Sequence, residues 1–337
     1  MDRDRRLGTG PPWHADRAGD TRRGSVRPVS TPTRFGILGT GHWARTTHAA
    51  ALRAHPDVEL VGFWGRDPAH ARDAAAQHGT TAFGDLDDLL GRVDAVTVAL
   101  PPDVQAQVAV RAADRGRHLL LDKPLATTLP GARAVVEAVR RNGVASVEYL
   151  TYLFQPDITT WLERMRALAA EHGPWEGGVF RWAGSIDAPG SPYGASAWRR
   201  ERGGLWDTGP HALSIALELF GPVERVSAGR GPRDAVTVAL EHAGGAGTSL
   251  SLTLTAPQGA GGSFATVWGP GGRHDLPRFT GTPQEGFARA VDRLRRAAAT
   301  GEPDALDVRR AAAAVAVLAA VEEHLARPDR ATAVPQP

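Results

Sequence analysis

Phe35-Gly36-Ile37-Leu38-Gly39-Thr40-Gly41-His42-Trp43-Ala44 is the stretch from which the fold of this chain can be read. A short apolar run reads as a buried strand, and Gly39-x-Gly41-x-x-Ala44 follows it at once and opens a helical stretch over 43–54. In that context the first glycine permits a tight turn and the second lets backbone approach a pyrophosphate. Ala44 then keeps the helix close to the sheet. The phosphates would meet the positive end of that helix. The motif alone also fits an ordinary glycine turn. Its place at the start of a repeated strand–helix pattern favours a dinucleotide site built on Gly39, Thr40, Gly41, His42 and Trp43.

The repeat continues through Val58 to Trp64, Val93 to Leu100, His118 to Leu121 and Ala145 to Thr151, with helical stretches at 68–78, 103–115 and 128–141. Alternation of this kind predicts a parallel sheet, so residues 33–150 read as a doubly wound α/β domain of the Rossmann type. After a helix near Asp157 to Glu171 the texture changes to longer alternating segments. These are Trp175 to Ala183, Val223 to Gly229, Ala235 to Leu240, Thr248 to Thr255 and Ser263 to Trp268. They predict a second α/β domain, 151–330, with a mainly antiparallel open sheet and two closing helices, 284–299 and 307–326.

Composition narrows the function. A chain of 337 residues with 42% apolar side chains has material for two cores. The absence of cysteine removes disulfides, thiolate nucleophiles and the usual structural zinc sites, and suits a reducing cytoplasm; metal held by His and carboxylate stays open, and no metal residue is assigned. The longest uncharged apolar run, Ala311 to Val321, is 11 residues, too short for a membrane span. Residues 1–30 hold seven Arg against four Asp, leaving 32 basic and 33 acidic groups in the rest. The body is thus near neutral, which argues against a nucleic-acid partner, and the first 32 residues read as a disordered tail.

Cofactor choice should be set where the second strand ends, in Phe63-Trp64-Gly65-Arg66-Asp67. No carboxylate stands at the strand end to take a ribose 2′-hydroxyl, while Gly65 and Arg66 suit a 2′-phosphate, so NADP is preferred over NAD. The alternative makes Arg66 a solvated turn residue and Asp67 a helix cap.

Two constellations carry chemistry. Lys123 is the only lysine among 39 basic residues and lies in Asp122-Lys123-Pro124, directly after Leu119-Leu120-Leu121. A compact ammonium at a strand end points to an active-site role that a planar guanidinium would not fill. Farther on, Gly203-Gly204-Leu205-Trp206-Asp207-Thr208-Gly209-Pro210-His211 precedes an apolar-periodic helix. If the turn is helical, Asp207 and His211 share a face, and the carboxylate can orient the imidazole as a general base. Alternatively Asp207 is a helix cap and His211 a first-turn residue bonded to backbone. Trp182, Trp198 and Trp206 read as buried core before pocket.

Taken in order, the glycine fingerprint, Asp122-Lys123-Pro124, Trp198-Arg199, Gly203-Gly204 and Asp207-x-x-x-His211 resemble the Gfo/Idh/MocA oxidoreductases, over roughly residues 33–326. The resemblance implies a Rossmann domain followed by an open sheet that packs between subunits of a homodimer or homotetramer. It also implies a nicotinamide cofactor, NADP or NAD, and hydride transfer at a hydroxyl or carbonyl carbon of a sugar, cyclitol or related small molecule. Lys123, Asp207 and His211 fall on the family's catalytic positions, and Leu100, Pro101, Asp122 and Lys123 fall beside the cofactor. Asp122 replaces the usual glutamate. Gln105, Leu153 and Ser214 stand where a histidine, an arginine and an aspartate are frequent, which implies an unusual substrate pocket. The alternative function is a catalytically silent dinucleotide-binding regulator or scaffold. A methyltransferase would need neither the lysine nor the Asp/His pair.

Overall fold

Strand β1 (Thr33–Leu38) runs between its two parallel neighbours, β2 (Val58–Trp64) and β4 (Ala95–Val98), with β3 (Thr81–Phe83) beyond β2. The computed structural model describes residues 32–327. The expected tail therefore lies outside the described residues, Pro32 excepted. Strands β5 (His118–Asp122) and β6 (Ser146–Tyr149) complete a six-stranded sheet in the order β3-β2-β1-β4-β5-β6, in which every pairing is parallel. This is the doubly wound order, whose ligand crevice opens at the carboxyl ends of the strands where β1 and β4 diverge.

The residues explain why these segments are strands. β4 is buried along its whole length, and Leu119, Leu120 and Leu121 of β5 are wholly excluded from water. Parallel strands covered on both faces require such continuous apolar runs. The three-residue β3 and the helix Leu86–Leu90 escaped the sequence reading because neither is long enough to show a period.

The second sheet contains β7 (Gly177–Ala183), β8 (Val223–Arg230), β9 (Val236–His242), β10 (Gly247–Thr253), β11 (Gly262–Gly269) and β12 (Gly272–Asp275). They lie in the order β12-β11-β7-β10-β9-β8. All pairings are antiparallel except β7 with β10. In β9, Val236, Val238, Leu240 and His242 turn inward and the residues between them are exposed. The other face is open on β7 and β11, where Val179, Phe264 and Trp268 are 37%, 48% and 40% exposed.

The last two helices return to the parallel sheet. Helix Pro283–Thr300 begins with a capping box between Thr282 and Glu285 and packs on β5 and β6. Tyr149 Oη donates to Pro283 O at 2.7 Å, fastening the end of β6 to the start of that helix. Helix Val308–Leu325 packs against helix Leu129–Asn142 and β8, so it touches elements that accompany both sheets. No helix among the described residues is long and apolar enough to cross a membrane.

Candidate active site

The loop after β1 has the geometry that a dinucleotide requires. Gly39 adopts φ +131°, and a Cβ there would stand 2.3 Å from Ala99 O, so only glycine fits. A Cβ on Gly41 would meet nothing within 4 Å, so the loop borders open space there. His42 and Trp43 lead directly into a π-helical stretch, Ala44–Ala49, that continues as helix Ala50–Ala54. His42 is exposed at the mouth of the crevice. Leu100 and Pro101 follow β4, neighbour of β1, and Pro101 immediately precedes helix Pro102–Asp114.

At the end of β2, a Cβ on Gly65 would lie 2.7 Å from the Thr40 methyl, so the glycine allows this turn to touch the fingerprint loop. Asp67 caps helix Pro68–Gln77, accepting from Ala69 N at 2.8 Å and His70 N at 3.4 Å. Arg66 is exposed and makes no hydrogen bond or ion pair among the described residues. Arg45, which sequence reading did not single out, donates to Thr40 O at 2.8 Å and to His70 O at 3.2 Å and ties the two loops together.

Lys123 stands immediately beyond β5, and its Nζ donates to Asp207 Oδ1 at 2.8 Å and to Asp207 O at 2.7 Å. Both side chains are only 12% exposed. Arg199 Nε donates to the other carboxylate oxygen, Oδ2, at 3.3 Å. Two cations therefore hold the Asp207 carboxylate at about pH 2, although burial by itself pushes it up.

A helical turn is expected to put Asp207 and His211 on one face; Asp207 closes helix Ala197–Asp207, and His211 lies in the first turn of the next helix, Gly209–Phe220. The Asp207 oxygens are occupied by Lys123 and Arg199. His211 Nδ1 is buried without a hydrogen-bond partner. The carboxylate thus reaches the imidazole through charge rather than through a bond. Burial, then the Lys123 charge, brings the His211 pKa down to about 3, against the opposing pull of Asp207. The ring is neutral at pH 7.

Several groups that sequence reasoning missed or left without a role shape this site. Helix Ala197–Asp207 is broken at Gly203, which has φ 60° and ψ −157°, and a Cβ on Gly204 would lie 2.5 Å from Thr253 Cα. Asp234 fastens the break. Its carboxylate accepts from Gly204 N at 2.8 Å, Leu254 N at 2.7 Å, and the hydroxyls of Thr253 at 2.7 Å and Thr255 at 2.5 Å. Gln105, visible in the sequence only as a departure, clamps the lysine loop from behind. Its amide nitrogen donates to Asp122 O at 2.6 Å and Pro124 O at 3.0 Å, and its oxygen accepts from Asp122 N at 3.2 Å.

Asp122 accepts from Lys123 N at 2.9 Å, and burial raises its pKa to about 6. Glu148, beside Leu121 on β6, is buried and raised to about 7 by desolvation, with Asp122 pushing further up and Arg310 pulling down. The wall next to His211 is aromatic. The Tyr152 ring lies 5.6 Å from His211, 5.1 Å from Trp182 and 5.1 Å from Phe279. Leu153 is buried in the core. Trp206 is wholly buried and donates to Glu322, whereas half-buried Trp198 lies beneath Arg199. No group of three or more His, Cys, Asp or Glu among the described residues is arranged to hold a metal.

A parallel doubly wound sheet with a glycine cradle, joined to a mixed open sheet that sends Asp207 to meet Lys123, defines a two-sheet, dinucleotide-fold class of protein. Comparison identifies the family. Residues 33–149 match the oxidoreductase family with an NAD-binding Rossmann fold, and residues 177–274 match the GFO/IDH/MocA C-terminal domain. The chain belongs to the Gfo/Idh/MocA oxidoreductase family.

It is 33% identical over 193 residues to dTDP-3,4-didehydro-2,6-dideoxy-alpha-D-glucose 3-reductase of Streptomyces antibioticus, a match covering 56% of this chain and 57% of that protein. To scyllo-inositol 2-dehydrogenase (NADP(+)) of Bacillus subtilis it is 26% identical over 200 residues, covering 58% and 60%. The chain thus spans less than two thirds of the length of these curated relatives. Among solved structures, GenD2 from gentamicin A biosynthesis in complex with NAD shares the fold at TM-score 0.76 and 22% identity, covering 91% of this chain and 97% of that one. The WlbA dehydrogenase from Bordetella pertussis in complex with NADH and UDP-GlcNAcA gives 0.75 and 22%, covering 87% and 96%.

Proposed function

We propose that this chain is an NAD(P)-dependent dehydrogenase or reductase acting on a hydroxyl or carbonyl carbon of a sugar, a cyclitol or a related small molecule. In this reading residues 33–150 bind the dinucleotide, and residues 151–330 supply the substrate wall and the subunit contact. The observation that carries it is the meeting of Lys123, from the end of β5, with Asp207, one helix turn before the neutral imidazole of His211. The named reductase and inositol dehydrogenase relatives support the substrate class.

Gly39, Thr40, Gly41, His42, Trp43, Gly65, Arg66, Leu100, Pro101, Asp122 and Lys123 would hold a nicotinamide dinucleotide, which would supply the acceptor or donor of the hydride. The protein's own groups handle the proton and the oxygen. In oxidation His211 takes the proton from the substrate hydroxyl, and Asp207 stabilises the imidazolium through space. Lys123 donates to the developing alkoxide as the carbonyl forms. Reduction runs the same transfers backward. NADP is the preferred cofactor, because Arg66, just beyond β2, has no partner among the described residues, while the neighbouring Asp67 carboxylate is engaged in capping helix Pro68–Gln77.

The exposed Val179, Phe264 and Trp268 support the open face of the second sheet as the contact of a homodimer or homotetramer. The decisive experiment is a carbonyl and polyol panel followed by oxidation or reduction of NADP(H). Turnover should be lost about 10²- to 10⁴-fold in His211→Ala with cofactor affinity unchanged. A wild-type protein that binds NADPH yet turns over nothing would favour the silent regulator.

A further inference from the structure

Asp207 is served by two cations, and only one of them has a role in the chemistry above. Arg199 reaches Oδ2, and its guanidinium lies over two rings, 4.5 Å from the Tyr193 centroid and 4.6 Å from that of Trp198. Its Nη1 also lies 3.4 Å from Ser196 Oγ. Tyr193 in turn sets its ring edge-on to His42 of the fingerprint loop, with centroids 5.8 Å apart. A guanidinium packed over two rings and bonded to a carboxylate has little freedom, so its Nε–H is directed at Oδ2.

Lys123 has three N–H donors. Two are spent on Asp207, one on Oδ1 and one on the main-chain oxygen. The third is the donor a substrate oxygen needs. A buried carboxylate whose Oδ2 lacked a partner would draw that third donor to itself, because an unsatisfied buried charge is costly.

We infer that Arg199 is a positioning residue which occupies Asp207 Oδ2 and so keeps one Lys123 N–H free for the substrate. The inference rests on the proposed dehydrogenase reading for its consequence in turnover, but its physical content is observable without any substrate. Lys123 is the only lysine in the chain, so lysine labelled with ¹⁵N at Nζ gives a single side-chain ammonium signal in the full-length protein.

The test compares Arg199→Met, which retains a long apolar stem against the two rings but removes the donor, with Arg199→Lys, which restores a cation. Arg199→Gln serves as a second neutral variant should the methionine protein fail to fold. Hydrogen exchange at the labelled ammonium should slow about threefold or more in the neutral variants as the third N–H closes on Asp207. With substrate, kcat should fall about tenfold at unchanged cofactor affinity. Arg199→Lys should recover most of both.

A neutral variant with normal Tm and unaltered ammonium exchange overturns the inference, as does one whose exchange slows while kcat stays at the parent value. Mere loss of packing would lower Tm without slowing exchange, and also counts against it. If the parent protein transfers no hydride to or from any compound, the dehydrogenase reading fails, and the exchange measurement still decides the role of Arg199.

Discussion

The Nζ of Lys123 and the Oδ1 of Asp207 lie 2.8 Å apart although 84 residues separate them in the chain. The pair joins the carboxyl end of β5 to a helix whose kink is bolted to the second sheet. Charge-assisted contacts of this kind are short and directional, and the ammonium meets both the carboxylate and the main-chain oxygen of one residue. A guanidinium has neither the size nor the donor arrangement to do the same. Lys123→Arg should therefore lower kcat about 10²-fold, in the range seen when an oxyanion donor is removed, and steady-state rates at saturating cofactor measure it. Turnover equal to the parent would show that the ammonium is dispensable.

Asp234 is predicted to be the main structural support of the site. Asp234→Ala strands the Gly204 and Leu254 amides and two threonine hydroxyls that now share its carboxylate. Unpaired buried donors cost roughly 1–3 kcal/mol each, less where water can reach them, so a loss of about 2–4 kcal/mol is expected. Urea unfolding checks this, and Asp234→Asn should lie between parent and alanine. An alanine variant as stable as the parent would mean that the Gly203–Gly204 kink holds itself.

Cofactor choice is tested at Arg66. With no partner among the described residues, its guanidinium has nothing to surrender when it pairs with a 2′-phosphate. One charge-assisted contact of about 1.5–3 kcal/mol corresponds to roughly 10- to 150-fold in affinity. Arg66→Ala should reduce the preference for NADPH over NADH by about that factor in fluorescence titrations. Equal binding of the two cofactors by the parent protein would refute the assignment.

Glu148 makes a prediction about pH. Its carboxyl keeps a proton up to about pH 7, well above the ordinary glutamate value, so the native state binds more protons than the unfolded chain between those limits. Stability from this group is present at low pH and is lost as pH rises through 7. Glutamine cannot ionise. The Tm of Glu148→Gln relative to the parent should climb between pH 5 and pH 8, by the equivalent of roughly 2–3 kcal/mol. The neutral imidazoles of His48 and His211, both lowered to about 3, act with the opposite sign below pH 6.5, but they are common to both proteins and cancel in the difference. A Tm difference that does not change with pH would place the Glu148 titration elsewhere.

The second sheet offers a fifth test. Phe264→Glu with Trp268→Glu places charges on the exposed face of β11, on positions whose strand neighbours are Arg181 and Gly177. If that face joins subunits, sedimentation should show the assembly reduced to monomers with the fold intact. An unchanged sedimentation coefficient would move the interface away from this sheet.

The sequence by itself determined the elements whose information is local. A run of apolar residues and a glycine at a forced φ are legible one after another, so the parallel sheet, the fingerprint loop around Gly39 and Gly41, and the lysine at the end of β5 could be read directly. Asp207 and His211 could be singled out by their place after the other family motifs, since their spacing alone fits a helix cap and a first-turn histidine equally well. What joined them could not. The contact of Asp207 with Lys123 and Arg199 in place of His211, the clamp of Gln105 on the lysine loop and the fastening of Gly204 by Asp234 all unite residues on different elements. No periodicity encodes which side chain will reach which oxygen once two sheets have packed. Only the tertiary structure decided those partners, because a buried charge or amide takes whichever complementary group the packed elements bring within about 3 Å.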